Sequence, residues 1–107
     1  MLAARKRLDP KLVKELEQAT SSAIEILDTS FSALVTGDID AANDTIDSRS
    51  RHQKLIDALA HRVATRKGEE PLALGTIVDS LGRVASYSTD IAEQAINVGV
   101  LLEAKGP

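Results

Sequence analysis

Two glycine-bearing breaks divide an otherwise continuous helical pattern, and they leave this chain very few folds. Gly37 and Gly68 each separate long stretches in which apolar residues recur every three or four positions. Pro10 and Pro71 stand where first helical turns would begin, and proline early with glycine late is the polarity of a helix. The segments bounded in this way cover residues 10–36, 38–67 and 71–104. Long helices joined by loops of about two to four residues must run antiparallel to their sequence neighbours. The pattern predicts an all-α chain, an antiparallel up-down-up three-helix bundle over residues 10–105, with a short basic leader or stub at 1–9. No stretch alternates with the period of two that a half-buried strand requires.

The first segment carries Leu12, Leu16, Ala19, Ala23, Leu27, Phe31 and Leu34 at helical spacing, and Val13, Ile24 and Ile26 widen the stripe. Asp9, just before Pro10, is a candidate N-cap. The second segment opens on Asp38-Ile39-Asp40, whose carboxylates suit a helix N-terminus. It ends on Arg62, Arg66 and Lys67, whose charges suit a C-terminus. Its stripe of Ala42, Ile46, Ile56, Leu59, Ala60 and Val63 is interrupted from Asp47 to Lys54, where no apolar residue occurs. The third segment follows Glu69 and Glu70, precedes Lys105, and carries Leu74, Ile77, Val78, Leu81, Val84, Ala85, Ile91, Ala92, Ala95, Ile96 and Leu102. Val98, Val100 and Leu101 broaden its stripe beyond one face, the pattern of an interface, so self-association as a homodimer is expected. Gly82 is either a point of close helix approach or a tolerated surface glycine.

Composition removes several function classes. The 107 residues are 43% apolar and 27% charged, which fits one globular domain. No apolar run nears the ~18 residues of a membrane span, and Arg5, Lys6 and Arg7 interrupt the N-terminal apolar residues, so a cytoplasmic, non-spanning protein is expected. The absence of cysteine excludes disulfides, cysteine zinc sites and thiol chemistry. A net charge of -3 argues against direct nucleic-acid binding, and two aromatics, Phe31 and Tyr87, make no stacking platform.

Groups that could carry chemistry are few. No nucleophile-base set, phosphate-cradling glycine loop or H-E-x-x-H motif is present. Asp57 and His61 are one turn apart and could share a metal, although a solvated pair is the commoner outcome. Asp40, Asp44 and Asp47 could attract a hard cation, but they also suit the first turns of a helix electrostatically. Continuing the second stripe from Ile46 to Ile56 passes through Arg49 and Gln53, so Arg49 is expected at the bundle interior or its rim. The expected behaviour is a guanidinium reaching the surface between helices. The functional alternative is an anion or partner contact made by Arg49 and Arg51.

The run Asp79-Ser80-Leu81-Gly82-Arg83-Val84-Ala85-Ser86-Tyr87-Ser88-Thr89-Asp90-Ile91-Ala92-Glu93 resembles the signature helix of PhoU-domain proteins, L-E-R-[IV]-[GA]-D followed after a few positions by N-I-A-E. Leu81, Arg83, Val84, Ala85, Ile91, Ala92 and Glu93 stay in register, and Asp90 stands at the usual Asn. Gly37-Asp38-Ile39-Asp40-Ala41-Ala42 is similar to the family's second-helix start. The resemblance implies one three-helix repeat, of archaeal type, with a non-catalytic role in regulating phosphate uptake. Its expected partner is a transporter subunit, a sensor kinase or a neighbouring domain.

The family often binds metal through acidic pairs one turn apart. The matching third-helix positions here are Gly82 and Ser86, and the second helix offers Asp47 with Arg51. The resemblance therefore implies the fold and the regulatory role, with no metal and no cofactor. Two alternatives accompany it. One is a helical accessory domain of a cation-transport or transcription regulator. The other is a small all-helical enzyme of the chorismate-mutase type, using Arg49, Arg51 and Lys54, although the first helix lacks any basic residue after Lys14.

Overall fold

The computed structural model describes residues 9–65 and 70–105. Among them are three helices, α1 (Pro10–Thr36), α2 (Ile39–Ala64) and α3 (Glu70–Lys105), and no strand. The expected leader, the second link with Arg66, Lys67, Gly68 and Glu69, and residues 106–107 lie outside the described residues apart from Asp9.

Local chemistry sets the ends. The Asp9 carboxylate accepts the Lys11 N–H at 3.0 Å, and Pro10, which has no N–H to satisfy, opens α1. Gly37 closes α1 in the left-handed region, φ 65°, and its N–H donates to the Ala33 carbonyl. Asp38 immediately caps α2 by accepting the Ala41 N–H at 3.0 Å. Two residues therefore end one helix, reverse the chain and start the next.

Leu12, Leu59, Val63, Leu74 and Val78 share one core cluster, and Ala33, Ala42, Ala92 and Ala95 share the other. α1 and α3 consequently run parallel, with α2 antiparallel between them, in a molecule about 60 Å long. The up-down-up bundle is as the spacing predicts. Between the clusters lies a layer of small polar residues. Ser30, Thr45, Ser88 and Thr89 are buried, and each hydroxyl donates to a carbonyl three or four residues back in its own helix.

Two expectations about packing need correction, and the alternative left open at Gly82 is decided. Leu27 and Phe31 are not core residues: Phe31 is 58% exposed, because Ile26 and Ser30 take the inward positions. Ile77 and Leu102 are likewise exposed. The close helix approach occurs at Gly99 and not at Gly82. A Cβ on Gly99 would stand 2.5 Å from the Gly37 carbonyl oxygen and from Ile39 Cγ1, whereas one on Gly82 would meet only Ile56 Cγ2 at 3.7 Å.

Candidate functional site

α2 and α3 leave a groove between them of about 640 Å³. Ile56, Val63 and Val78 form its buried apolar floor. Gly75 and Gly82 leave its α3 wall open, and a Cβ on Gly75 would have nothing within 4 Å. Its rim is polar and internally paired. Arg49 Nη2 donates to Ser86 Oγ at 3.3 Å, Arg83 pairs with Asp79 at 3.3 Å, and Gln53 Nε2 donates to Asp57 Oδ1 at 2.9 Å. Arg49 is exposed, so its guanidinium lies on the rim over Ser86, outside the core.

Arg49 and Arg51 do not converge. Arg51 lines a separate crevice of about 430 Å³ between α1 and α2, with Ser22, Glu25, Thr29, Asp44, Ser48 and His52. Lys54 is exposed beside Arg49 in a shallow depression that excludes Arg51. The three cations of the enzyme alternative are thus split between two sides of α2. The pairing of Asp47 and Arg51 with the Gly82–Ser86 surface also needs correction. Ser86 meets Arg49 and Gly82 meets Ile56, because a half-turn of helix separates Arg49 from Arg51.

The signature residues divide by role. Leu81, Ala85 and Ala92 are buried and Ile91 is half-buried, which is a packing function. Arg83 and Glu93 are exposed, and Arg83 stands on the groove rim. Asp40, Asp44 and Asp47 are exposed, as are Asp57 and His61. Among the described residues no group of three or more His, Asp or Glu could hold a metal ion. The glycine, serine hydroxyl and guanidinium at Gly82, Ser86 and Arg49 do not fit a hard cation either.

The residue that sequence reading passed over is His52. It is 2% exposed in the middle of α2. Its Nδ1 lies 2.8 Å from Ser22 Oγ and its Nε2 3.4 Å from the Leu81 carbonyl oxygen. A carbonyl only accepts, so Nε2 carries a proton toward Leu81, while the Ser22 hydroxyl, which can donate or accept, meets Nδ1. One side chain thereby ties α2 to both neighbours. The signal was available: Thr45, His52 and Leu59 are spaced by seven, and all three are buried. The inward row crosses the polar interval through His52, with Arg49 and Gln53 beside it.

A family model described as the PhoU domain matches residues 16–95, which takes in parts of all three helices. No curated protein and no solved structure matches the chain. Among the described residues, no helix is long and apolar enough to cross a membrane.

Proposed function

We propose that this chain, which belongs to the PhoU-domain family of regulators in phosphate homeostasis, is a non-catalytic cytoplasmic module that controls phosphate uptake through helix-surface contacts. The observation that carries this reading is the family match across all three helices. The α2–α3 groove is the surface offered to a transporter subunit, a sensor kinase or a neighbouring domain. It combines an apolar floor with a rim of charged and polar side chains, the make-up of a contact patch. Among the described residues its rim acid Asp79 is held by Arg83, and Asp57 in the adjoining depression is held by Gln53. The module works without a metal, since the family's acidic positions carry Gly82 and Ser86.

The test is phosphate uptake in cells that lack the gene, restored with the native chain or with Arg49→Glu. Uptake should lose its response to external phosphate without the gene, regain it with the native chain, and regain it only partly with the variant. Unchanged phosphate uptake overturns the reading. A change confined to cation uptake would move the module to the accessory-domain class. Turnover of chorismate by the purified chain would make it an enzyme.

A further inference from the structure

The polar sides of this bundle differ in how their charges are used. On the α2–α3 rim Arg83 pairs with Asp79 and Arg49 donates to Ser86, and lower on the α1–α2 side Arg62 pairs with Glu15. The crevice of about 430 Å³ between α1 and α2 is different. Glu25, Asp44 and Arg51 all line it. Among the described residues none of these three side chains has an ion pair or a hydrogen bond to another. Two carboxylates and a guanidinium share one crevice without meeting.

Their order along the helices explains this. Ser22 meets His52 at 2.8 Å, which sets the register of two antiparallel helices. Each step up α1 therefore matches one step down α2. Arg51 and Asp44 are seven residues apart, which is two turns, or about 10 Å, along one face of α2. Glu25 stands three residues beyond Ser22. It is level with position 49 of α2, close to Arg51 and roughly 7 Å along the axis from Asp44. The sequence of groups down the crevice is guanidinium, carboxylate and, farther on, a second carboxylate. Thr29 and Ser48 stand between the two acids. Their hydroxyls donate to the Glu25 carbonyl at 2.7 Å and the Thr45 carbonyl at 2.8 Å, so toward a ligand both oxygens act as acceptors. Ile26, which is buried, supplies an apolar wall at the same level.

This arrangement selects by charge. A phosphate on Arg51 would face Glu25 and Asp44 and be repelled by both. The two carboxylates stand too far apart to close on one metal ion, whose oxygen donors converge at about 2.0–2.6 Å. A bare polyamine would meet Arg51. The complement is a molecule with an anion and a cation side by side, a second cation roughly 7 Å farther on, and methylenes between. We propose that the α1–α2 crevice binds a free basic α-amino acid of the lysine or ornithine kind, its carboxylate on Arg51, its α-ammonium on Glu25 and its terminal ammonium on Asp44. The methylenes lie along Ile26, and Thr29 and Ser48 accept from the terminal ammonium. Such a ligand cancels the one net negative charge of the three side chains. The crevice volume lies in the range of small-molecule sites. This site is separate from the α2–α3 groove and stands whether or not the module controls phosphate uptake.

Calorimetric titration of the full chain with L-lysine at neutral pH and low salt should give one site, with a dissociation constant on the order of 1 mM or tighter. Norleucine lacks the terminal ammonium, and cadaverine lacks the carboxylate. Each should bind about tenfold or more weakly, the worth of one charge-assisted hydrogen bond. Arg51→Gln, Glu25→Gln and Asp44→Asn should each weaken lysine binding to a similar degree, with the far-UV helical signal unchanged because all three side chains are exposed. Arg83→Gln, on the other groove, should bind lysine as the native chain does. In proton NMR spectra lysine should shift the ring signals of His52, which lines the crevice, and leave those of the exposed His61 in place. Absence of both heat and a His52 shift up to about 20 mM lysine overturns the proposal. Norleucine or cadaverine binding as tightly as lysine overturns it too. Binding of inorganic phosphate that depends on Arg51, with none of lysine, would replace it with an anion site.

Discussion

Ser22 Oγ and His52 Nδ1 meet at 2.8 Å across the α1–α2 interface, while the far nitrogen of the same ring reaches the Leu81 carbonyl of α3 at 3.4 Å. The ring sits in a stretch where α2 has no large apolar residue between Ile46 and Leu55, so it supplies both volume and polarity to the middle of the bundle. His52→Ala removes both and should lower stability by about 2–4 kcal/mol. Ser22→Ala leaves Nδ1 without its partner and should cost about 1 kcal/mol, since Ser22 is half-buried and water can replace part of the bond. Urea unfolding followed at 222 nm separates the two. A His52→Ala midpoint equal to that of the native chain would show that the ring does not tie the helices together.

The glycines of α3 should respond to alanine with opposite signs. Gly75→Ala adds a Cβ with no neighbour within 4 Å, so the helix-propensity gain of up to ~1 kcal/mol should appear as a higher melting temperature. Gly99→Ala gains the same propensity but drives its methyl to 2.5 Å from the Gly37 carbonyl oxygen and the Ile39 side chain. The Gly37 carbonyl belongs to the αL cap that reverses the chain and cannot move aside cheaply, so a net loss of ~1–3 kcal/mol is expected. Thermal melts of the two variants decide this, and a stabilised Gly99→Ala would refute the close approach.

The helix ends were legible because each rests on one residue and its immediate neighbours. Asp9, Gly37 and Asp38 act within two to four positions of themselves, and such short-range chemistry can be read from order alone. The inward face was harder to read. Ala, Ser and Thr make much of this core, while Leu27, Phe31 and Ile77 stand outside it, so weighting the stripe by side-chain size rotates the inferred face toward the exposed side. Arg49 lies on the rim, one of the two places expected for it. The row was drawn from Ile46, which is half-buried, and a row drawn from Thr45 runs through His52. That Arg49 and Arg51 serve different grooves follows from their spacing of two, which on a helix puts side chains on different faces.

The Asp38 cap joins two helices at once, which makes it worth more than a terminal cap. Its carboxylate accepts the Ala41 N–H, and its own N–H donates to the Ala33 carbonyl at 3.0 Å. Asp38→Ala keeps the backbone bond and removes the side-chain bond, so a loss of ~1 kcal/mol is expected, while Asp38→Asn or Asp38→Ser should recover most of it. Asp9→Ala, at the start of α1, should cost less. Chemical denaturation of the four variants measures the order, and equal losses for Asp9→Ala and Asp38→Ala would show that the turn is held by Gly37 alone.

Metal content gives the sharpest test of how this chain departs from its family. A hard cation needs several oxygen donors converging at ~2.0–2.6 Å. The Gly82 side chain supplies none, the Ser86 hydroxyl is engaged by Arg49 at 3.3 Å, and that guanidinium adds positive charge beside it. The purified chain, freed of any affinity tag, should contain no near-stoichiometric iron, zinc or nickel by elemental analysis. Gly82→Glu with Ser86→Asp would put two carboxylates one turn apart on the groove wall. Arg49 is close enough to take one of them as an ion pair, so metal affinity should remain weak. Adding Arg49→Ala to that pair should strengthen binding, because it removes both the competing partner and the repelling charge. Calorimetric titration with Mn²⁺ distinguishes the double from the triple variant. If the native chain carries metal, the donors must come from elsewhere, with Asp40, Asp44 and Asp47 or Asp57 with His61 the first to replace by Asn and Ala. If the double variant already binds tightly, Arg49 is not the group that keeps a cation from this surface.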